Sequence, residues 1–453
     1  MLNEEVIGKI GKWWVLGFEQ EVFYGQLKKE GNLLYLCTEM VSPLLHERIS
    51  EKKHFIVHGQ AGTDKISLRG TNLDQSVSLD GGDPILVGMH LIPEECFIGN
   101  EWVPEMVAVK SAYVKYDGIG AWFRQNSYQE HVPFSQDAVL LSFQQNTPLS
   151  FALDGFDLKF DFGLSYSQTE WDHIQYTNWV NTVFFPKQRP LVEFCERVGQ
   201  FSQLLSLFSY GNVRYSSMVI ETTAGFNGEY LVNPVQTGET AGFWLTYPNI
   251  ADCFEEILQK WFRLASQAQP ILEILTHALA LTKAVGDLSR DVERYSHSHF
   301  LSVVQALEVY SNYFRASEAK QYAQKVSDLP EDQCVPVELS HKLCDLFQNA
   351  HAVLGFSDVE LWKIANKIAA SYEYYFHYNP DRKYDGLTSA QTASLLTFAQ
   401  EALKVSLLRE IGVPEDVLKQ AGISQNCHKA IYPYILKAPQ IAPEPSGNLA
   451  KIY

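Results

Sequence analysis

The chain has 453 residues, 46% of them hydrophobic and 13% aromatic, which is enough apolar material to bury cores in two or three domains. A formal net charge of −17 at pH 7 argues against a broad basic surface that captures nucleic acid through phosphate contacts alone. Any RNA or DNA would therefore have to be met by a local cationic site.

Cysteine usage and the first residues indicate the cellular compartment. The 7 cysteines are scattered without a C-x-x-C pair, which argues against a disulfide framework and against a zinc ribbon. The opening segment, MLNEEVIGKIGKWWVLG, has acidic residues before any apolar run, and no segment approaches the roughly 20 apolar residues of a membrane helix. We expect a cytoplasmic protein that is neither exported nor inserted into a membrane.

The first half of the chain has the pattern of β-strands. Between residues 13 and 244, short runs of alternating apolar and polar residues are separated by Gly, Asn and Asp, and LKFDF (158–162) shows the period of two most clearly. One segment with helical spacing, 190–208, interrupts this pattern. The sequence therefore predicts an antiparallel β-sandwich or barrel-like domain over residues 1–245.

The second half has the 3.6-residue period of helices. The predicted helices are 251–266, 270–285, 289–317, 337–354, 358–379 and 389–411, followed by a short helical turn in PEDVLKQAG. An all-α domain is thus expected over 246–436, followed by an extended, Pro-rich tail over 437–453. The predicted fold class is α+β and multidomain, with the β-rich domain first and a helical bundle second.

Capping residues support the boundaries of two of these helices. Ser357 with Glu360, and Thr388 with Gln391, match the capping box, in which two side chains satisfy the free backbone N–H groups of a helix start. The glycines placed to close the preceding helices in a left-handed conformation are Gly355 and Gly412.

Three short patterns suggest binding sites, and each has a simpler interpretation. The segment GQAGTDKIS from Gly59 lacks the adjacent Gly-Lys of a phosphate-binding loop, so it predicts a hairpin turn. His54 and His58 would share one face of a strand, but two ligands without a third do not make a metal site. His297 and His299 lie two residues apart on a helix and point to different faces. We predict neither a metal nor a cofactor.

The segment SYEYYFHYNP (371–380) crowds aromatic rings around one histidine. Pro380 disfavours helical geometry at the residue before it, so His377 lies in the last helical turn, with Glu373 four residues earlier. The helix dipole and this carboxylate both favour the protonated imidazole, which would titrate near physiological pH. From these residues alone, His377 is either an acid–base group or a stabilising helix cap, and the cap is the commoner arrangement. The predicted core stripe of this helix is Leu361, Ile364, Ala365, Ile368, Tyr372 and Tyr375.

Two helical segments together resemble a known family. HFLSVVQALEVYSNYF (299–314) and WKIANKIAASYEYYFHYNP (362–380) are similar to two helices of the ApeA-like HEPN family of prokaryotic anti-phage proteins. The β-rich half agrees, since the segments around GKWWVLG, FYGQLKKEGNLLYL, FIVHGQAGTDKISLRG and VKSAYVKYDGIGAWF resemble the ApeA N-terminal domain. The order and spacing of these segments cover most of the chain.

The resemblance implies a metal-independent endoribonuclease that acts as a homodimer through its HEPN helices. In the family, an arginine and a histidine from paired helices line a shared cleft, where the 2′-hydroxyl of RNA attacks its own adjacent phosphate. His377 matches the histidine, and Glu373 would orient it. The expected substrate is tRNA, with a phage-derived protein as trigger or inhibitor.

Tyr372 stands where the resemblance calls for the arginine. Losing one preorganised electrostatic donor typically costs a factor of roughly 10² to 10³ in rate. Three alternatives remain open: a natural domain with weak or no nuclease activity, an altered residue, or another cation in the arginine's role, for which Arg382 and Lys383 are the nearest candidates. Tyr374 and Tyr378 could stack unpaired bases, or simply pack against the protein.

Two functions from different classes are therefore predicted. The first is an anti-phage defence ribonuclease, favoured by His377 with Glu373 one turn earlier. The second is a catalytically inactive HEPN scaffold whose β-rich domain recognises a phage or host protein, and Tyr372 favours it.

Overall fold

A computed structural model describes residues 6–38, 41–79, 86–104, 107–124, 128–131, 140–143, 146–169, 173–186, 189–232, 242–280, 292–327, 335–377 and 387–436. The chain divides into two compact units, Met1–Arg263 and Leu264–Tyr453, which we call the β-rich unit and the helical unit. No helix in the described part of the chain has the length and apolar content that a membrane crossing requires.

The β-rich unit consists mainly of antiparallel strands. They are β1 Ile10–Val15, β2 Phe23–Glu30, β3 Leu33–Thr38, β4 Phe55–Ala61, β5 Asp64–Leu79, β6 Leu86–Ile92, β7 Glu95–Gly99, β8 Ala108–Tyr116, β9 Tyr128–His131, β10 Leu140–Phe143, β11 Leu149–Leu153, β12 Phe156–Thr169, β13 His173–Pro186, β14 Arg189–Pro190, β15 Tyr215–Thr222 and β16 Asn227–Val232. Its helices are α1 Pro43–Ser50, α2 Ile119–Phe123, α3 Leu191–Leu207 and α4 Tyr247–Ile250, followed by a 3₁₀ turn, Ala251–Cys253.

Six of these strands close into a barrel in the order β5-β4-β1-β2-β3-β6, because β6 also pairs with β5. The barrel is filled by apolar side chains that alternate along its strands, among them Trp13, Leu36 and Val57. The turn between β4 and β5 places Gly62 at φ 66°, a left-handed conformation that suits glycine. The hairpin predicted in GQAGTDKIS is confirmed.

The remaining long strands extend from the barrel through β5, which also pairs with β7. From β7 the order continues through β16, β15, β8, β13 and β12 to β11. The predicted helical segment 190–208 is confirmed as α3, whose Phe201 side chain is fully buried against Phe160 and Phe184. The β-rich, barrel-like prediction is therefore correct.

The helical unit follows. Its helices are α5 Phe254–Gln267, which begins in the β-rich unit, α6 Gln269–Ala280, α7 Val292–Phe314, α8 Ala316–Val326, α9 Leu339–Asn349, α10 His351–Leu354, α11 Asp358–His377, α12 Ser389–Glu410, α13 Glu415–Gln420 and α14 Ile423–Ile431, with a π-helical turn at Tyr432–Leu436.

The predicted helix boundaries with capping residues are correct. Glu360 accepts hydrogen bonds from the Ser357 backbone N–H at 2.9 Å and from its hydroxyl at 2.7 Å. The second capping box, at Thr388, is also formed. Gly355 and Gly412 have φ values of 79° and 94° and close the helices before them.

Two segments that were predicted as single helices are each divided into two helices. The helix predicted over 289–317 stops at Phe314, and α8 follows it as a separate helix. Arg315, between them, has φ −135°, and its guanidinium forms a two-bond ion pair with Asp345 at 2.7 and 2.9 Å. This ion pair with a neighbouring helix is a long-range contact, so the local sequence carries no signal that the helix ends here. The helix predicted over 337–354 is similarly divided at Ala350.

Candidate functional site

Helix α11 buries one face as its periodicity predicts. Leu361, Ile364, Ala365 and Ile368 are buried and Tyr372 is only 9% exposed, whereas Tyr375, also predicted on this stripe, is half-buried. Burial raises the pKa of the Tyr372 phenol, and the Glu308 carboxylate on α7 raises it further. At neutral pH the residue at the arginine position is therefore a neutral side chain on the core stripe.

Outside this core stripe, α11 carries exposed apolar side chains. Val359, Trp362 and Phe376 are 65%, 50% and 57% exposed. With Asn366 and Glu373 they recur at helical spacing along one side, and we call these five residues the outer stripe. Val359 and Trp362 are neighbours on this side, and Phe376 lies 14 residues after Trp362, about 21 Å along the helix.

The C-terminal turn of α11 contains the aromatic cluster. The Tyr372 ring stacks on Phe376, with centroids 5.2 Å apart and planes at 12°. Tyr374, half-buried, meets Tyr375 edge-on at 5.0 Å. The helix ends at His377, whose side chain lies outside the described structure, as do Tyr378, Arg382 and Lys383. Their predicted roles stay predictions.

Tyr375 joins the end of α11 to the beginning of α12. Its hydroxyl accepts a hydrogen bond from the Leu387 backbone N–H at 2.8 Å and donates one to the Leu387 carbonyl at 3.3 Å. The ring of His297, on α7, lies 4.5 Å from the Tyr375 ring. Tyr375, two positions before His377, is thus in contact with both the Leu387 backbone and the His297 ring.

Replacing Tyr375 by phenylalanine removes this hydroxyl and keeps the ring against His297. We expect the free energy of unfolding to fall by about 1–2 kcal/mol, because both polar groups of Leu387 lose their partner. Amide hydrogen exchange at Leu387 should speed up more than in the rest of α12. Tyr374→Phe is the matched control, and equal effects of the two variants would contradict the proposed link.

The two segments that carry the family resemblance meet in space. They lie on α7 and α11, which pack against each other, and the Glu308 carboxylate in the first raises the pKa of the Tyr372 phenol in the second. Lys342, from α9, places its Nζ atom 2.6 Å from Oε1 of Glu308. Sequence reasoning missed Lys342, because a lysine on an amphipathic helix ordinarily faces solvent and its 34-residue separation from Glu308 gives no local signal.

His54 and His58, which were considered as metal ligands, have different surroundings. His58 is buried beside the rings of Trp14 and Trp102, at 6.2 and 6.4 Å, and burial lowers its pKa. His54 lies near Glu94, with 3.9 Å between Nδ1 and Oε1. Within the described residues no group of three or more His, Cys, Asp or Glu side chains is placed to hold a metal ion.

Comparison with known families agrees with this arrangement. A model of ApeA N-terminal domain 1 matches residues 8–261, more than half of the chain, and a model of the Apea-like HEPN domain matches residues 301–417. The chain belongs to the ApeA-like HEPN family. No curated protein matches it.

This membership fits an anti-phage HEPN protein. The HEPN match contains all of α11 together with Glu308 and Lys342, so the charged pair beside Tyr372 lies within the family's helical domain. His297, which supports Tyr375, lies just before the matched residues. In this ApeA-like HEPN protein the candidate site therefore draws on helices α7, α9 and α11.

Proposed function

We propose that this protein is an anti-phage defence endoribonuclease that cuts RNA, with tRNA as its main substrate, in a cleft shared by two copies of the helical unit. The observation that carries the proposal is the outer stripe of α11. Its exposed apolar residues lie along the same helix that ends at His377. A trigger derived from phage would be sensed by the β-rich unit.

The outer stripe suits a second copy of the chain. Burying a large apolar side chain contributes about 1.5–3 kcal/mol, so Val359, Trp362 and Phe376 together supply a meaningful share of a dimer's stability. In a two-fold dimer the same patch meets itself. Two copies of α11 packed in this way would share one cleft.

The chemistry requires a proton-transfer group and a positive charge. His377 would accept the proton of the RNA 2′-hydroxyl as its oxygen attacks the adjacent phosphorus, and a proton is returned to the departing 5′-oxygen. The products are a 2′,3′-cyclic phosphate and a 5′-hydroxyl. Glu373, one turn before His377, would orient the imidazole and favour its charged form. Tyr372 supplies no positive charge, so slow cleavage is expected.

Dimerisation and cleavage are tested together. Trp362→Glu is expected to raise the dissociation constant of the dimer about 10- to 100-fold, because a charge replaces about 1.5–3 kcal/mol of apolar burial. Sedimentation measures the mass, and incubation with total tRNA measures cleavage. Val326→Glu, at a similarly exposed position on α8, is the control. A monomeric parent protein would remove the shared-cleft proposal.

The alternative function is a catalytically inactive HEPN scaffold that recognises a phage or host protein. The burial of Tyr372 favours it, because this geometry packs the position of the family arginine into the helix bundle. If neither the parent protein nor the protein with phage extract cuts tRNA, while a phage protein still binds, the scaffold function is the correct one.

A further inference from the structure

The β-rich unit has a cleft on one face of its sheet, which we call the sheet cleft. It has a volume of about 300 Å³ and is lined by Tyr113, Lys115, Asn181, Ser217, Val219 and Glu229. These residues come from four neighbouring strands, β13, β8, β15 and β16. The volume is at the lower end of the range for small-molecule sites, about 300–1,000 Å³, so the cleft has room for one small ligand.

One row of lining residues is an aromatic and apolar floor that ends in a carboxylate. Tyr113 on β8 pairs with Val219 on β15, and Val219 pairs with Glu229 on β16. Tyr113 and Val219 are 46% and 37% exposed, although both of their strands have neighbours on either side. A flat ring can stack on this floor, and the carboxylate can accept hydrogen bonds from N–H groups at the edge of that ring.

The second row is polar and carries a positive charge. Lys115 is exposed and lies two residues after Tyr113, about 7 Å along β8 on the same face. It pairs with Ser217 on β15, a residue that is only 7% exposed. Asn181 on β13 directly precedes the residue that pairs with Val114, so it lies beside Lys115. An ammonium, a hydroxyl and an amide are thus neighbours, and together they can bind the oxygen atoms of an anion.

A nucleotide has both of the parts that these two rows can recognise. Its base is a flat ring with N–H groups at the edge, and its phosphate is an anion one sugar away from the base. Proteins commonly bind unpaired nucleotides by stacking the base on an aromatic side chain and by hydrogen bonds to its edge. A purely apolar ligand fits less well, because it would cover Lys115 and Glu229 without pairing them.

We propose that the sheet cleft binds one unpaired nucleotide, with its base on Tyr113 and its phosphate on Lys115. Glu229 accepts hydrogen bonds from the edge of the base. The same chemistry has two sources, a free nucleotide and a nucleotide within single-stranded RNA. The site lies in the β-rich unit, so it does not require that the helical unit cuts RNA.

Calorimetric titration of the full-length protein with nucleoside 5′-monophosphates, and with the same nucleosides without phosphate, tests the two contacts separately. Tyr113→Ala should weaken the binding of both kinds of ligand about 5- to 100-fold, the effect of removing one stacked ring. Tyr113→Phe keeps the ring and should bind like the parent protein. Lys115→Met should weaken the monophosphates about 10-fold and leave the nucleosides unchanged.

Two exposed residues elsewhere in the β-rich unit provide matched controls. Tyr24→Ala removes a ring that is 54% exposed on β2. Lys110→Met removes an ammonium from the same strand as Lys115, where its Nζ atom lies 2.6 Å from Oε1 of Glu221. Both control variants should bind every ligand like the parent protein. Thermal unfolding of each variant shows whether it is folded.

A short fluorescent single-stranded RNA with methylated 2′-oxygens, which cannot be cut by its own 2′-hydroxyls, identifies the source of the nucleotide. Weaker RNA binding in Tyr113→Ala and Lys115→Met than in the controls would show that the cleft takes a nucleotide of RNA. Monophosphate binding that depends on Tyr113, without this effect on RNA, would show that it takes a free nucleotide.

Two results would overturn the nucleotide site. One is that no monophosphate binds and the two cleft variants bind the RNA as the controls do. The other is that every ligand binds Tyr113→Ala as tightly as it binds the parent protein. Neither result bears on the proposed ribonuclease, which is measured separately by the cleavage of tRNA.

Discussion

Replacing Tyr372 by arginine is expected to raise the rate of tRNA cleavage by roughly 10² to 10³, the range that one preorganised electrostatic donor contributes. The guanidinium would carry a permanent charge to the position where the family has it. The Glu308 carboxylate, which raises the pKa of Tyr372 and is paired with Lys342, would favour a positive charge at this position. Its aliphatic stem can follow the buried surface that the tyrosine ring now covers.

Three variants test this prediction: Tyr372→Arg, Tyr372→Phe, and Tyr372→Arg combined with His377→Ala. The phenylalanine variant keeps the stacking on Phe376 and adds no charge, so it should cut no faster than the parent. The combined variant should lose the gained activity, because its proton-transfer group is gone. Equal rates for the arginine and phenylalanine variants would show that position 372 does not face a catalytic cleft.

Replacing Asp345 by alanine is expected to destabilise the helical unit by about 3 kcal/mol, because it leaves the largely buried Arg315 charge without its partner. For a unit of this size the melting temperature should fall by about 6–12 °C. The loss is structural, since Arg315 separates α7 from α8 and is bound to α9 by two hydrogen bonds. Calorimetry or circular dichroism measures it directly.

Two controls show whether the effect comes from the unpaired charge. Replacing both partners, Arg315→Met with Asp345→Leu, removes the charges together and should cost less than Asp345→Ala alone. Glu415→Ala breaks the pairs of an exposed carboxylate with Lys419 and Arg409 and should change stability by at most about 1 kcal/mol. A similar loss in Asp345→Ala and Glu415→Ala would mean that the Arg315 pair does not hold the helices.

Local sequence patterns predicted the strands and helices well, but they did not predict which of these elements pair or pack together. The alternation in LKFDF placed Leu158, Phe160 and Phe162 on the buried face of β12, where they lie. The closure of the barrel could not be predicted in the same way. A strand's period states which face is buried, but the choice of neighbour for β5 depends on contacts between distant parts of the chain.

In the candidate site, too, local patterns predicted the helix but not its contacts with other helices. The periodicity of α11 correctly placed Tyr372 on its core stripe, whereas Pro380, on which the predicted helix end depends, lies outside the described residues. The ion pair of Lys342 with Glu308 and the hydroxyl link from Tyr375 to Leu387 depend on where side chains of separate helices and turns meet. Such contacts have no spacing rule in a single sequence.

Strand β5 belongs to two structures at once, since its first half lies between β4 and β7 and its second half pairs with β6. The barrel and the outer strands are therefore joined by continuous backbone hydrogen bonding. Neither part can unfold while the other stays folded. The β-rich unit should behave as a single cooperative folding unit. A protease that nicks β5 should consequently release no stable half, and truncation to the barrel alone would expose the edge that β7 now covers.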